Sequence, residues 1–138
     1  MKKIIFGIII LTLLNGCGLG FNMVKKTAMQ NATYDDYGSK PPKNHREIEK
    51  DYIRSFLKDP YSAKFHFNEH SDYSKMDALP KNYFSSEPVL VWRTIIQCNA
   101  KNSYGGYTGY KLHYFWWKHG RMFMYKSPDE TEIPVYFR

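Results

Sequence analysis

The stretch VLVWRTIIQC (89–98), NAKNSYGG (99–106), YTGYKLHYFWWK (107–118), HG (119–120) and RMFMYK (121–126) decides the fold. It holds most of the large apolar and aromatic side chains and reads as consecutive antiparallel strands. In 89–98 one face carries Leu90, Trp92, Thr94, Ile96 and Cys98, and the other Val89, Val91, Arg93, Ile95 and Gln97. Apolar residues on both faces near its start mark a central strand, one side of which a helix would cover. In 107–118 both registers are aromatic: Tyr110, Tyr114 and Trp116 alternate with Tyr107, Phe115 and Trp117. Tyr107, at the start of that strand, reads as core. His119-Gly120 suits a two-residue hairpin turn, because glycine tolerates positive φ. Met122 to Tyr125 then return along the sheet. Residues 127–131 read as a proline-containing turn and 133–137 as a last short strand, where Pro134 suits an edge.

Upstream of this block, Asn44 is a good N-cap with Glu47 three residues on, the spacing of a capping box. Ile48, Tyr52 and Phe56 recur every four residues, Ile53 and Leu57 fill the same face, and Glu47, Glu49, Lys50, Arg54 and Lys58 fall mostly around the other side. Asp59-Pro60 ends the helix, since a residue before proline avoids the helical region. Ala63 to Phe67 alternates as a strand does. His66, His70 and Asp72 invite a metal, but on an extended strand the two histidines stand roughly 13 Å apart at ~3.3 Å per residue, too far to share an ion. Residues 71–88 read as a long surface connection. The expected fold class is α+β: one N-terminal amphipathic helix packed on a small, mainly antiparallel sheet of about four to five strands, in a single domain spanning 44–138.

The chain begins with Lys2-Lys3 and an apolar run from Ile4 to Leu14. That run is too short for a bilayer core, which needs roughly 20 apolar residues, and reads as a signal peptide over 1–16. Leu14-Asn15-Gly16-Cys17 resembles the lipobox of bacterial lipoproteins. The resemblance implies that Cys17 carries lipid and becomes the mature N-terminus. With Gly18 rather than an acid next, the sorting pattern of enteric bacteria further implies the outer membrane, facing the periplasm. Residues 17–43 show no helical or strand period and read as a flexible tether; the 26 residues after Cys17 would span roughly 25–30 Å. Losing Lys2 and Lys3 with the leader leaves 18 basic against 13 acidic residues, a balance that suits anionic envelope surfaces or plain solubility. With Cys17 lipidated, Cys98 has no partner in the chain, and its place at the end of an apolar strand predicts burial.

The segment NAKNSYGGYTGY (99–110), with LKDP (57–60) and SAKF (62–65) before it, resembles small bacterial and phage-associated exported lipoproteins over roughly Ile48 to Met124. The resemblance implies kinship and fold, and names no activity. Read as residues, the loop has two meanings. It is a demanding turn if Gly105, Gly106 and Gly109 supply positive φ or a bulge while Asn99 and Asn102 bond their own backbone. It is a recognition surface if Asn99, Asn102, Ser103, Tyr104, Tyr107 and Tyr110 present hydrogen bonds and flat rings to a glycan or a protein. The turn chemistry favours the first. The glycines do not lie between a strand and a helix, so this is not a phosphate loop.

No nucleophile stands beside a base in any known signature. The acids gather in the helix, the tether and the turn at Asp129, Glu130 and Glu132 rather than as a facing pair. The sequence therefore reads as a non-enzymatic envelope lipoprotein without cofactor or metal. It would be bound to the membrane through its N-terminal lipid and act by contact with another envelope component. A glycan or peptidoglycan binding module using loop 99–110 is the alternative. Export places the chain away from nucleic acid.

Overall fold

In the computed structural model, the structure describes residues 22–67, 75–80, 87–129 and 132–134. The leader and Cys17 lie outside the described residues. Among these residues the chain is α+β. A helix over residues 22–31 (α1) is followed by a 3-10 turn at Tyr34–Tyr37, helix α2 at His45–Arg54 and a second 3-10 turn at Pro60–Ser62. The strands are β1 (Lys64–His66), β2 (Lys75–Pro80), β3 (Pro88–Asn99), β4 (Lys111–Lys118), β5 (Arg121–Lys126) and β6 (Glu132–Pro134).

All pairings are antiparallel, and the lateral order is β1-β3-β4-β5-β6, with β2 also pairing β3. The long β3 carries two short strands on one edge: β2 against its first half and β1 against its last three residues. The strand at β2 departs from the sequence expectation of a surface connection. KMDALP is not rich in the β-branched and aromatic residues that signal strands; the free edge of β3 supplies the pairing. His119 (φ 49°) and Gly120 (φ 73°) make the two-residue turn between β4 and β5, both in the left-handed region such a turn requires. A bulge follows, where the register shifts between Trp116 and Trp117.

The two faces of β3 carry the residue sets that the alternation assigns. On one face Trp92, Ile96 and Cys98 join Phe115, Trp117, Met122 and Tyr125 in the main core. Helix α2 covers this face with Ile53, Ile48 and Tyr52, and the Tyr52 ring meets Phe115 and Tyr125 edge-on at 5.9 and 5.1 Å. Each large apolar side chain buried here contributes roughly 1.5–3 kcal/mol. The helix is ten residues long and shorter than its pattern implies. Its N-terminus has no capping box: Asn44 makes no side-chain cap, and Glu47 instead bonds Lys50 Nζ at 2.7 Å. Phe56 lies beyond the helix and is exposed, stacked on Tyr125.

On the opposite face Val91, Leu79 and Trp116 form a smaller cluster. Its polar centre is Asp77, which accepts from Trp116 Nε1 (2.9 Å) and pairs with Lys25 of α1 (2.6 Å) and Arg93 (3.4 Å). Burial works against the Asp77 charge, yet hydrogen bonds from Lys25, Trp116 and the Ala78 amide hold its carboxyl below the usual range.

The segment before α2 packs on the domain, where the sequence reading had a flexible tether over 17–43. Tyr37 is 1% exposed in the main core, Trp92 Nε1 donates to the Gly38 carbonyl (3.0 Å), and Lys118 Nζ donates to the Asp36 carbonyl (2.8 Å). The packed body thus begins before Asn44. Two tyrosines in a polar run set no period that marks Tyr37 as core, and the indole of Trp92 supplies its place.

Candidate functional site

Loop 99–110 leaves the C-terminal end of β3 and enters β4, and its asparagines build it. Asn102 Oδ1 accepts from the Tyr104 and Gly106 amides (2.9 and 3.1 Å), and Asn99 Oδ1 accepts from the Gly109 amide (3.1 Å). Backbone bonds from Asn102 to Gly106 and from Gly105 to Asn102 close the tip. Gly105 (φ 80°) and Gly109 (φ 94°) take the left-handed region, whereas Gly106 does not. The oxygens of Asn99 and Asn102 are therefore engaged by the turn.

The remaining candidates separate into two places. Ser103 Oγ accepts from Lys58 Nζ (2.7 Å), the Lys101 amide donates to Ser62 Oγ (3.0 Å), and the Tyr107 hydroxyl donates to the Ser62 carbonyl (3.2 Å). Two of these bonds fasten the loop to the Pro60–Ser62 turn, and the third ties it to Lys58 just before that turn. Tyr107 is 42% exposed with Lys64 Nζ 4.4 Å from its ring centroid, so it is not the core residue the strand pattern implied. The reason is register: β4 begins at Lys111, and Tyr107 only bridges to Lys101. Tyr61 and Tyr104, next to the fastened serines, project at 99% and 96% exposure. The sequence reading missed Tyr61, although its position after Asp59-Pro60 in a tight turn is the signal for an outward side chain.

Tyr110 lies at the second place. It rims a groove of about 670 Å³ on the face opposite α2, lined with Arg93, Lys111, Leu112, Tyr114, Trp116, Lys126 and Asp129 among others. Tyr114 and Trp116 lie nearly parallel with centroids 6.2 Å apart, and the His66 and Tyr110 rings meet at a steep angle with centroids 5.9 Å apart. His70 and Asp72 lie outside the described residues; among those described, no three His, Cys, Asp or Glu side chains gather as metal ligands would.

Two buried groups have chemistry of their own. Glu49 is 1% exposed and accepts from the Thr94 hydroxyl and from Trp117 Nε1 (3.3 Å). Burial pushes its carboxyl up to about 7, against the pull of those two bonds and of Arg46. The helical wheel had put Glu49 on the outer side, yet it stands four residues before Ile53 and so shares its face. Cys98, His113 and Asp129 line a cleft of about 320 Å³, a trio that invites a thiol nucleophile. However, His113 Nδ1 is bonded to the Tyr125 hydroxyl (2.7 Å), burial and then the Lys111 charge push the imidazole down to about 4, and burial raises the thiol. A neutral thiol beside a neutral imidazole is not the thiolate pair that such a nucleophile needs. No family model, curated protein or solved structure matches the chain.

Proposed function

We propose that the chain is a non-enzymatic envelope lipoprotein, anchored through lipid on Cys17 in the outer membrane and facing the periplasm, that acts by contact with another envelope component. The observation that carries this reading is the pair Tyr61 and Tyr104. Two rings stand almost fully in solvent on loops tied together by three hydrogen bonds, with Lys58 bonded to the neighbouring Ser103 and Lys64 and Lys101 over the ring of Tyr107. Tyrosine offers large contact area at small entropic cost, and rigid loops lower the cost of ordering on association. These rings lie at the end of β3 away from the Lys25–Asp77 tie, so the contact end is remote from where the N-terminal segment is fastened. The leader and lipobox-like sequence support the anchor.

Crosslinking capture from intact cells tests the contact. The full chain should retain a discrete envelope partner, and the Tyr61→Ala/Tyr104→Ala double variant should lose it while its melting temperature holds. Unchanged capture by the double variant refutes this surface. For the anchor, Cys17→Ala should leave the membrane fraction; a variant that still sediments with membranes is held by something other than lipid.

A glycan-binding reading is favoured by one separate observation: Tyr110, with Tyr114 and Trp116, lines an open groove on the sheet rather than joining the loop tip.

A further inference from the structure

We infer that the exposed side of α1 seats the domain on the surface of the phospholipid bilayer that holds its own lipid, an inference that rests on the lipid-anchor reading of Cys17. Four residues separate Cys17 from Asn22 of α1. The five chain steps between them cover about 18 Å at full extension, at ~3.6 Å each. A lipid-bearing cysteine keeps its acyl chains in the hydrocarbon and its backbone among the headgroups. Asn22 is thus held within that reach of the bilayer surface.

The reach is not spent on a loose helix. Lys25 Nζ pairs with Asp77 at 2.6 Å, and Lys25, Ala28 and Met29, three and four residues apart, are the half-buried positions of α1. Ala32 and Tyr37 continue the contact into the main core. Helix and body are packed together, so a short link that holds α1 near the bilayer holds the domain there too.

The other side of the helix meets the lipid. Met23 is 72% and Val24 41% exposed, at the end nearest Cys17 in the chain, and Lys26 and Thr27 are exposed beside them. Apolar side chains of an interfacial helix enter about 5–10 Å into the headgroup–acyl boundary. Lys26 lays its aliphatic stem on the same surface with its ammonium among the phosphates. Charge does not carry the seat, since Lys25 is already paired with Asp77. Asp77 faces Val91 across β2 and β3, and Asn99 ends β3 roughly 26 Å further on at ~3.3 Å per residue, so the loop end stays clear of the seat.

Quenching by brominated lipid tests this on the lipidated chain purified from membranes. It is reconstituted in phosphatidylethanolamine–phosphatidylglycerol vesicles, with or without lipids brominated near the headgroup end of their acyl chains. A fluorophore is attached through Thr27→Cys on α1 or, as control, through Tyr104→Cys; Cys98 is buried. Flotation with the vesicles reports the anchor, and quenching reports the seat. The label at position 27 should lose most of its emission and the label at 104 none. With Met23→Ser/Val24→Ser added, the chain should float as before at unchanged melting temperature, and the quenching at 27 should vanish. Flotation without quenching at 27 overturns the seat and leaves the anchor standing. Failure to float overturns the anchor reading and the seat with it. Equal quenching at 27 and 104, or quenching that survives the double substitution, overturns α1 as the seat.

Discussion

Glu49 and His113 stand on the same face of the sheet, and their titrations oppose each other. Glu49 is raised to about 7, so the folded state holds its proton more tightly than the unfolded chain does; stability from this group falls as pH rises from about 4.5 to 7. His113 is lowered to about 4, so the unfolded chain takes the proton first, and stability falls as pH drops from about 6.5 to 4. Across their shared window the two slopes nearly cancel. Glu49→Gln removes one of them. The variant should gain on the order of 3 kcal/mol over the parent at pH 8, match it near pH 4, and show stability rising with pH between. Denaturant melts at several pH values check this, and parallel profiles for the two proteins contradict it. Asp77 obeys the opposite rule. Its lowered carboxyl stabilises the fold above its unfolded range and loses that contribution as pH falls through the folded value. Asp77→Asn leaves Lys25 and Arg93 without their counter-charge and should cost about 3–5 kcal/mol, read from the same melts. Neither carboxyl is marked in the sequence as buried, because a buried acid carries the same letter as a solvated one. Only the four-residue step from Glu49 to Ile53 betrays the first.

Loop 99–110 and the β4–β5 hairpin were legible because turn residues carry their conformations with them. Asn99, Asn102 and the glycines name a backbone-bonded turn, and His119-Gly120 names a primed hairpin turn. The three glycines are nonetheless unequal. Gly105 and Gly109 have positive φ, so alanine at either should cost about 1 kcal/mol or more. Gly106 does not, and an added Cβ there meets only Asn102 side-chain atoms at 3.8 and 3.9 Å; Gly106→Ala should stay within about ±0.5 kcal/mol. Equal destabilisation at Gly105 and Gly106 would show that the tip adopts another turn. Strand β2 was not legible. Its residues neither alternate nor favour strands, and its place is set by an open edge of β3 that no local pattern announces. The capping box at Asn44 failed for the converse reason: the local pattern was right for a cap, but Lys50 took the Glu47 carboxylate.

At the scale of the molecule, the polar N-terminal segment is part of the fold. Tyr37 fills a core position, and Tyr34 and Lys40 lie over Trp92. Chymotrypsin should therefore spare the bond after the buried Tyr37 in the native protein, and Tyr37→Ala should cost about 3–5 kcal/mol, as loss of a buried aromatic does. Rapid native cleavage after Tyr37 would mean the segment is loose. With that segment fixed at one end, Tyr61 and Tyr104 stand exposed at the other, the end proposed to make the contact. The most direct test places a photocrosslinking phenylalanine analogue at Tyr61, at Tyr104 and, as a control, at the exposed Met76 of β2, in intact cells. The account predicts a discrete crosslinked species from positions 61 and 104 and none from 76. Crosslinks from 76 alone, or none from any position, would contradict it.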